Sequence, residues 1–142
     1  MAITEVAGLE EFLLREVPAL RGDYRVEDAG QGWAVLRLTV GPHHLRPGPT
    51  VAGPHVFALA DFAAWLAVQT LAGPLPMAVT TNATIDYLRM PGAADLTARA
   101  EVLKLGRSLA VIDLRISRAD TGLLVARASM TYALPPGAKG SE

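Results

Sequence analysis

The sequence contains no cysteine, and this absence excludes several kinds of chemistry at once. Without thiols the chain can form no disulfide, no thiolate metal site and no cysteine nucleophile, a composition that suits a reducing cytoplasm. The chain also lacks an excess of either charge. It has 13 Lys and Arg against 14 Asp and Glu, and its net charge is −1. This balance argues against a general nucleic-acid-binding protein, which needs a basic face.

Targeting and membrane-spanning segments are missing as well. The N-terminus carries Glu5, Glu10 and Glu11 where a signal peptide needs a positive region followed by an unbroken apolar stretch. The longest apolar run, residues 56–71, includes Asp61 and is shorter than the roughly 20 residues that a membrane span needs. We therefore predict a cytoplasmic protein that has no contact with a membrane.

The chain is rich in apolar residues and has the length of a single domain. Of its 142 residues, 51% are hydrophobic and 19% are charged. A monomer of this length has limited interior in which to bury so much apolar surface. We expect one domain, 1–142, with buried interfaces between subunits.

Two helices are predicted from apolar spacing. Residues 1–20 form an N-terminal helical segment, with apolar side chains at helical intervals and Pro18 at its end. A second helix begins at Gly53, with Pro54 in its first turn, where a missing N–H costs nothing. Residues 56–71 are apolar on nearly every side, which predicts a helix buried all round.

Strands are predicted where the apolar period changes to two. A hairpin occupies residues 24–27 and 33–40, and four further alternating stretches follow residue 76. In the first of these, Met77, Val79, Ala83, Ile85 and Tyr87 share the apolar face, and Thr80 and Asn82 lie on the opposite face. The class is α+β: a long helix packs on the apolar face of a curled antiparallel sheet of about five to six strands. Residues 135–142 are expected to form a flexible tail.

Asp61 is the sharpest chemical feature, because an unpaired charge inside an apolar helix is very costly. Either it lies on a wet edge of the helix or pairs with an arginine, or it is a general base or nucleophile in a semi-dry cleft. Gly53 offers a complementary group, since the first N–H groups of a helix are unpaired and can hold a developing oxyanion. Gly53 can equally be an ordinary helix cap. Together the two residues supply what the addition of water to a carbonyl needs.

Other sites are less well supported. The three histidines, His43, His44 and His55, fall in a Pro-rich loop without ligand spacing, so we predict solvated side chains and no metal. The sequence has no serine nucleophile elbow and no phosphate-binding glycine loop. Arg89 and Arg107 lie at strand ends or turns, where they are surface residues or clamps for phosphate groups.

Three stretches together resemble the hotdog-fold thioesterases: RPGPTVAGPHVFALADFAAWLA, AVTTNATIDYLRMPG and EVLKLGRSLAVIDLRI. The likeness is to acyl-CoA thioesterases of the phenylacetate-degradation (PaaI-like) type and covers roughly residues 24–134. It implies a long central helix wrapped by an antiparallel sheet, in a homodimer or in a homotetramer that is a dimer of dimers. It also implies active sites at the dimer interface and no cofactor, since coenzyme A is part of the substrate.

The family motif of His-Gly-Gly at the start of the central helix aligns with Ala52, Gly53 and Pro54. The acid of the motif aligns with Asp61, and a position that holds Asn in many members is Arg46 here. The resemblance implies that Asp61 of one subunit activates water or attacks directly, and that the Gly53 N–H of the neighbour holds the oxyanion. The hydroxyl residue that steadies the water in some members aligns with Thr80.

Substrate contacts are also implied by the resemblance. The acyl chain is expected near Phe57, Trp65 and Tyr87 and the phosphates near Arg89 or Arg107, while the remaining predicted contacts are Arg46, Pro54 and Asn82. Hydrolysis of a small or medium acyl-CoA, aliphatic or aryl, is the function that the resemblance favours. A non-catalytic protein that binds acyl-CoA or a related ligand is the alternative, and a hydratase ranks last because Ala52 stands where a histidine would be.

Overall fold

The structure, a computed structural model, describes residues 2–136. In chain order its longer elements are α1 (Val6–Glu16), β1 (Tyr24–Gly30), β2 (Trp33–Leu38), β3 (Leu45–Arg46), β4 (Thr50–Val51), α2 (Gly53–Ala72), β5 (Val79–Tyr87), β6 (Leu96–Leu105), β7 (Leu109–Arg118) and β8 (Leu124–Ala133). Short 3-10 turns occupy Pro18–Leu20 and Pro42–His44. Most of the predicted tail, residues 137–142, lies outside the described residues.

Six strands form one antiparallel sheet in the order β1-β2-β6-β7-β8-β5, and β3 and β4 pair in a separate small ribbon. The long helix α2 packs across this sheet, chiefly on β2, β6 and β7. The prediction of an α+β hotdog fold, with a central helix against about five to six strands, is confirmed.

The N-terminal helix α1 is shorter than the predicted segment 1–20. It turns Leu9, Phe12 and Leu13 into the core, and the Phe12 ring lies 4.9 Å from the ring of Trp65 on α2. Pro18 ends the helix as predicted and opens a 3-10 turn. After this turn the ring of Tyr24 packs edge-on against Phe62, near the middle of α2, with the ring centres 5.8 Å apart.

Helix α2 is buried over most of its surface, as the sequence predicted. From Ala63 to Thr70 every residue is buried, and alanines such as Ala60, Ala63 and Ala67 let the helix approach the sheet closely. At 20 residues it is long and apolar enough to cross a membrane, so the prediction that no segment reaches that length is wrong. Two thirds of its most apolar stretch is buried within the domain, however, which is typical of a core helix.

The alternating pattern places side chains correctly on β6, β7 and β8, where the apolar positions are buried against α2. On β5 the predicted face is correct for Ala83, Ile85 and Tyr87, since their partners on β8 all lie on its buried face. The expected burial is wrong, because Met77, just before the strand, and Val79 and Tyr87 on it are 73%, 54% and 53% exposed. β5 is an edge strand and α2 lies mainly over β2, β6 and β7, so little of this molecule covers either face of β5.

A β-bulge in β5 corrects a second prediction. The register of β5 against β8 pairs Thr80 with Tyr132 and Asn82 with Thr131, which leaves Thr81 as the extra residue. A bulge shifts the alternation by one residue and can re-aim a side chain. Thr80 therefore faces α2, although strict alternation assigned it to the opposite face with Asn82.

Candidate active site

Asp61 lies on the one half-exposed stripe of α2, where two hydroxyl groups hold its carboxylate. Thr80 Oγ1 donates to Asp61 Oδ1 at 2.6 Å, and Tyr132 Oη lies 2.7 Å from the same oxygen. The sequence left open a pairing with arginine. Among the ion pairs of residues 2–136 none includes Asp61, so its charge is stabilised by hydroxyl donors.

Tyr132 is a site residue that the sequence analysis missed. Its position on the apolar face of β8 identified it only as part of the core, where it is indeed 3% exposed. Burial, and next the negative charge of Asp61, raise the pKa of the Tyr132 phenol far above its usual value. The hydroxyl therefore keeps its proton and acts as a donor. A buried tyrosine normally finds a partner for its O–H, which is the signal that could have identified it.

A cavity of about 250 Å³ opens beside Asp61. Its other walls are mainly apolar and come from the end of α1, from α2, from the segment that leads into β5 and the start of that strand, and from β8: Val17, Phe62, Trp65, Pro76, Ala78, Val79, Thr80 and Tyr132. The carboxylate therefore faces a small apolar space that has a few polar groups at one end, an arrangement typical of ligand pockets. Of the three residues predicted to contact the acyl chain, Trp65 lines this cavity and Phe57 and Tyr87 do not.

Gly53 is the first residue of α2, as predicted, and no acceptor within residues 2–136 pairs with its N–H. Tyr87 Oη donates to the Gly53 carbonyl at 3.1 Å and so fixes the position of the helix start. A cleft of about 360 Å³ lies there, and Arg46, Tyr87 and Arg89 are among its lining residues. The unpaired N–H and the helix dipole make this end of α2 suited to negative charge.

Asp61 and Gly53 do not meet within one chain. Eight residues of helix separate them, which corresponds to about 12 Å along the axis. Gly53 lines the cleft with Arg46, and Asp61 lines the other cavity. A reaction that uses both groups on one carbonyl would therefore need two copies of the chain.

The other residues predicted to contact the substrate line neither the cavity at Asp61 nor the cleft at Gly53. Phe57 is half-buried on α2 and packs on the edge of the core. Pro54 is exposed beside Gly53, and Arg107 is exposed in the turn between β6 and β7. Asn82 is exposed and pairs with Thr131, so alternation places it on the sheet face opposite Asp61.

The histidines are not all solvated, so that prediction is wrong for His44, which is 2% exposed. Asp23, His43 and His44 bring three ligand atoms within 4.8 Å of one another. However, the Gly41 N–H donates to His44 Nδ1 at 2.8 Å, so Nε2 carries the proton of the neutral ring and points at Asp23. A hydrogen bond from His43 lowers the pKa of Asp23, and burial lowers the pKa of His44. This arrangement pairs the polar groups of the loop with one another.

Comparison with known proteins places this geometry in a family. The model of the thioesterase superfamily matches residues 48–125, which is more than half of the chain. No curated protein matches the sequence significantly. Many solved structures do match.

Three of these structures are informative. A protein from Silicibacter sp., described provisionally as a thioesterase, is 39% identical, with 96% of this chain and 95% of that chain covered and a TM-score of 0.87. The PaaI protein from the phenylacetic acid degradation operon of E. coli is 26% identical, with 91% and 93% covered and a TM-score of 0.78. A hypothetical thioesterase from Streptococcus pneumoniae, solved with coenzyme A, is 23% identical, with 93% and 98% covered and a TM-score of 0.76, and shows the fold alone.

Proposed function

Since the chain belongs to the thioesterase superfamily, we propose that it hydrolyses the thioester of a small or medium acyl-CoA, aliphatic or aryl. The observation that carries this proposal is the carboxylate of Asp61, held by two hydroxyls at the wall of an apolar cavity. Asp61 acts there as a general base toward water or as the nucleophile itself. In the first case the water proton goes to Asp61 and the water oxygen bonds to the carbonyl carbon. The C–S bond then breaks, and the departing sulfur takes that proton from Asp61 to leave as the thiol of coenzyme A.

The two depressions suit the two ends of such a substrate. The cavity beside Asp61 would take the acyl group, because Phe62, Trp65 and Val17 give it apolar walls. The cleft at Gly53 would take the coenzyme A side of the thioester, and Arg46 and Arg89 in its wall suit the phosphates further along that chain. The coenzyme A in the S. pneumoniae structure supports a ligand of this class on this fold.

Two copies of the chain would form each active site, with Asp61 from one and the Gly53 N–H from the other. The exposed edge strand β5 supports this arrangement, because an unpaired strand of nine residues is a template for pairing with another chain. Exposed apolar side chains follow the same edge, at Met77, Val79, Tyr87, Leu88 and Met90. Burial of this surface in a dimer would remove an unfavourable contact with water.

A thiol-release assay on a panel of acyl-CoAs of short, medium, long and aryl type tests the proposed function. We expect release of coenzyme A from the short, medium or aryl members, because the cavity of about 250 Å³ limits the acyl group. Binding without release from any member would contradict hydrolysis and favour the non-catalytic binder. Ala52 and Pro54, in place of the His and the second Gly of the family motif, are the observation behind that alternative.

The shared site is tested by combining two variants, Asp61→Asn and Gly53→Pro, each of which removes one half of the site. Co-expressed in equal amounts, they should regain about a quarter of the wild-type activity, since half of the dimers are mixed and each mixed dimer keeps one intact site of two. Each variant purified alone serves as the control. Activity that stays at the level of the single variants would contradict a site shared between two chains.

A further inference from the structure

The bulge in β5 and the end of β8 bring two hydroxyl groups to Asp61. Thr80 Oγ1 and Tyr132 Oη both contact Asp61 Oδ1, at 2.6 and 2.7 Å, and Tyr132 Oη also lies 2.8 Å from the backbone carbonyl of Asp61. Thr80 and Tyr132 are register partners on β5 and β8, so one pair of strands positions both hydroxyls. The contacts therefore come from the sheet and reach the side chain and the main chain of one helical residue.

The direction of these hydrogen bonds follows from the lone pairs of the Asp61 oxygens and the protons of the two hydroxyls. An ionised carboxylate only accepts hydrogen bonds, and a carbonyl oxygen in a helix keeps a second lone pair beside its helical bond. Tyr132 can thus share its proton between the two oxygens of Asp61 without breaking α2. Because it bridges the carboxylate and the carbonyl of the same residue, it restricts rotation of the Asp61 side chain. No donor within residues 2–136 reaches the other carboxylate oxygen, Oδ2.

We propose that Tyr132 is a positioning residue which, with Thr80, holds Oδ1 of Asp61 so that Oδ2 is the oxygen that reacts. This inference rests on the proposed thioester hydrolysis and assigns a task to each carboxylate oxygen. It also changes the role of Thr80, whose proton is directed to Asp61, where the family resemblance implied a contact with water. The Tyr132 hydroxyl keeps its proton and is carried by a buried ring, so it can hold Oδ1 of Asp61 in one position.

The variant Tyr132→Phe tests the proposal, because it removes the hydroxyl and keeps the buried ring. We expect kcat to fall about 10-fold, since a small misplacement of a reacting group is costly, while KM and the melting temperature stay near the wild-type values. Tyr24→Phe is the matched control, because Tyr24 is also buried and its hydroxyl makes no side-chain hydrogen bond within the described residues. A kcat as little changed in Tyr132→Phe as in Tyr24→Phe would overturn the proposal.

A second measurement does not depend on activity. In protein labelled with carbon-13 at aspartate, the Cγ resonance of Asp61 should move in Tyr132→Phe and stay in place in Tyr24→Phe. If the wild type releases no thiol but this resonance moves, hydrolysis is contradicted and the hydroxyl contact stands. A resonance that does not move overturns the contact, whatever the activity. Should Tyr132→Phe fail to unfold cooperatively, Thr80→Val tests the same Oδ1 oxygen without changing the buried ring, with the same expected loss in kcat.

Discussion

Replacement of Asp61 by asparagine is expected to lower kcat at least about 100-fold, because it removes the general base or nucleophile. The amide oxygen can still accept from Thr80 and Tyr132, so the side chain should keep its place on α2. The amide NH₂ then occupies the position of Oδ2, where it can neither take a proton from water nor attack a carbonyl. The expected effect is therefore on turnover, with little change in folding.

Steady-state kinetics with the preferred acyl-CoA, beside thermal unfolding, would measure this effect. Asp113→Asn is a suitable control, because Asp113 pairs with Ser129 in the sheet and lies on its face away from α2. Wild-type turnover in Asp61→Asn would contradict the catalytic role of this carboxylate. A large loss of thermal stability would instead show that its main role is structural.

Replacement of Gly53 by proline should lower kcat by about 100-fold to 1000-fold, the usual effect of losing one donor to an oxyanion. Proline lacks the N–H but suits the first position of a helix. The preceding residue, Ala52, has φ −70° and ψ 145°, an extended conformation that a following proline favours. This substitution thus removes the N–H donor from the site, and thermal unfolding measured beside the kinetics shows what the added ring before Pro54 costs the fold.

Gly53→Ala is the matched control, because alanine keeps the N–H. Its Cβ would meet the Tyr87 ring at 3.7 Å, an ordinary contact distance. We expect Gly53→Ala to keep most of the wild-type kcat. Equal losses in the two variants would show that glycine is needed there for space and would contradict the oxyanion role of its N–H.

Simple periodicity predicted the helix α2 and the faces of β6, β7 and β8, because those elements are regular and covered by one another. It failed on β5 for a local reason and a global one. The bulge at Thr81 moves Thr80 to the inner face, and no side-chain pattern marks a bulge of this kind. The exposed positions Val79 and Tyr87 belong to an edge strand that little of this chain covers, so their apolar character did not mean burial within the domain.

The site was predicted in part. Asp61 and Gly53 were identified from the chemistry of a buried acid and a helix start, and the structure gives each a separate cavity. Tyr132 was missed because its spacing matches that of the core residues around it, and spacing does not reveal where a hydroxyl points. His44 was expected in water, but contacts with Gly41 and Asp23, which are three and 21 residues away in the sequence, allow its burial.

The bulge in β5 lets the strand carry one extra residue without moving the Thr80 hydroxyl. Since Thr80 pairs with Tyr132 and Asn82 pairs with Thr131, deletion of Thr81 would restore regular pairing and keep Thr80 on the same face as Tyr132. Pairing of the present sequence without the bulge would instead turn the Thr80 hydroxyl away from Asp61. A relative that has an alignment gap at Thr81 and a hydroxyl at the position of Thr80 should therefore hold its acid in the same way.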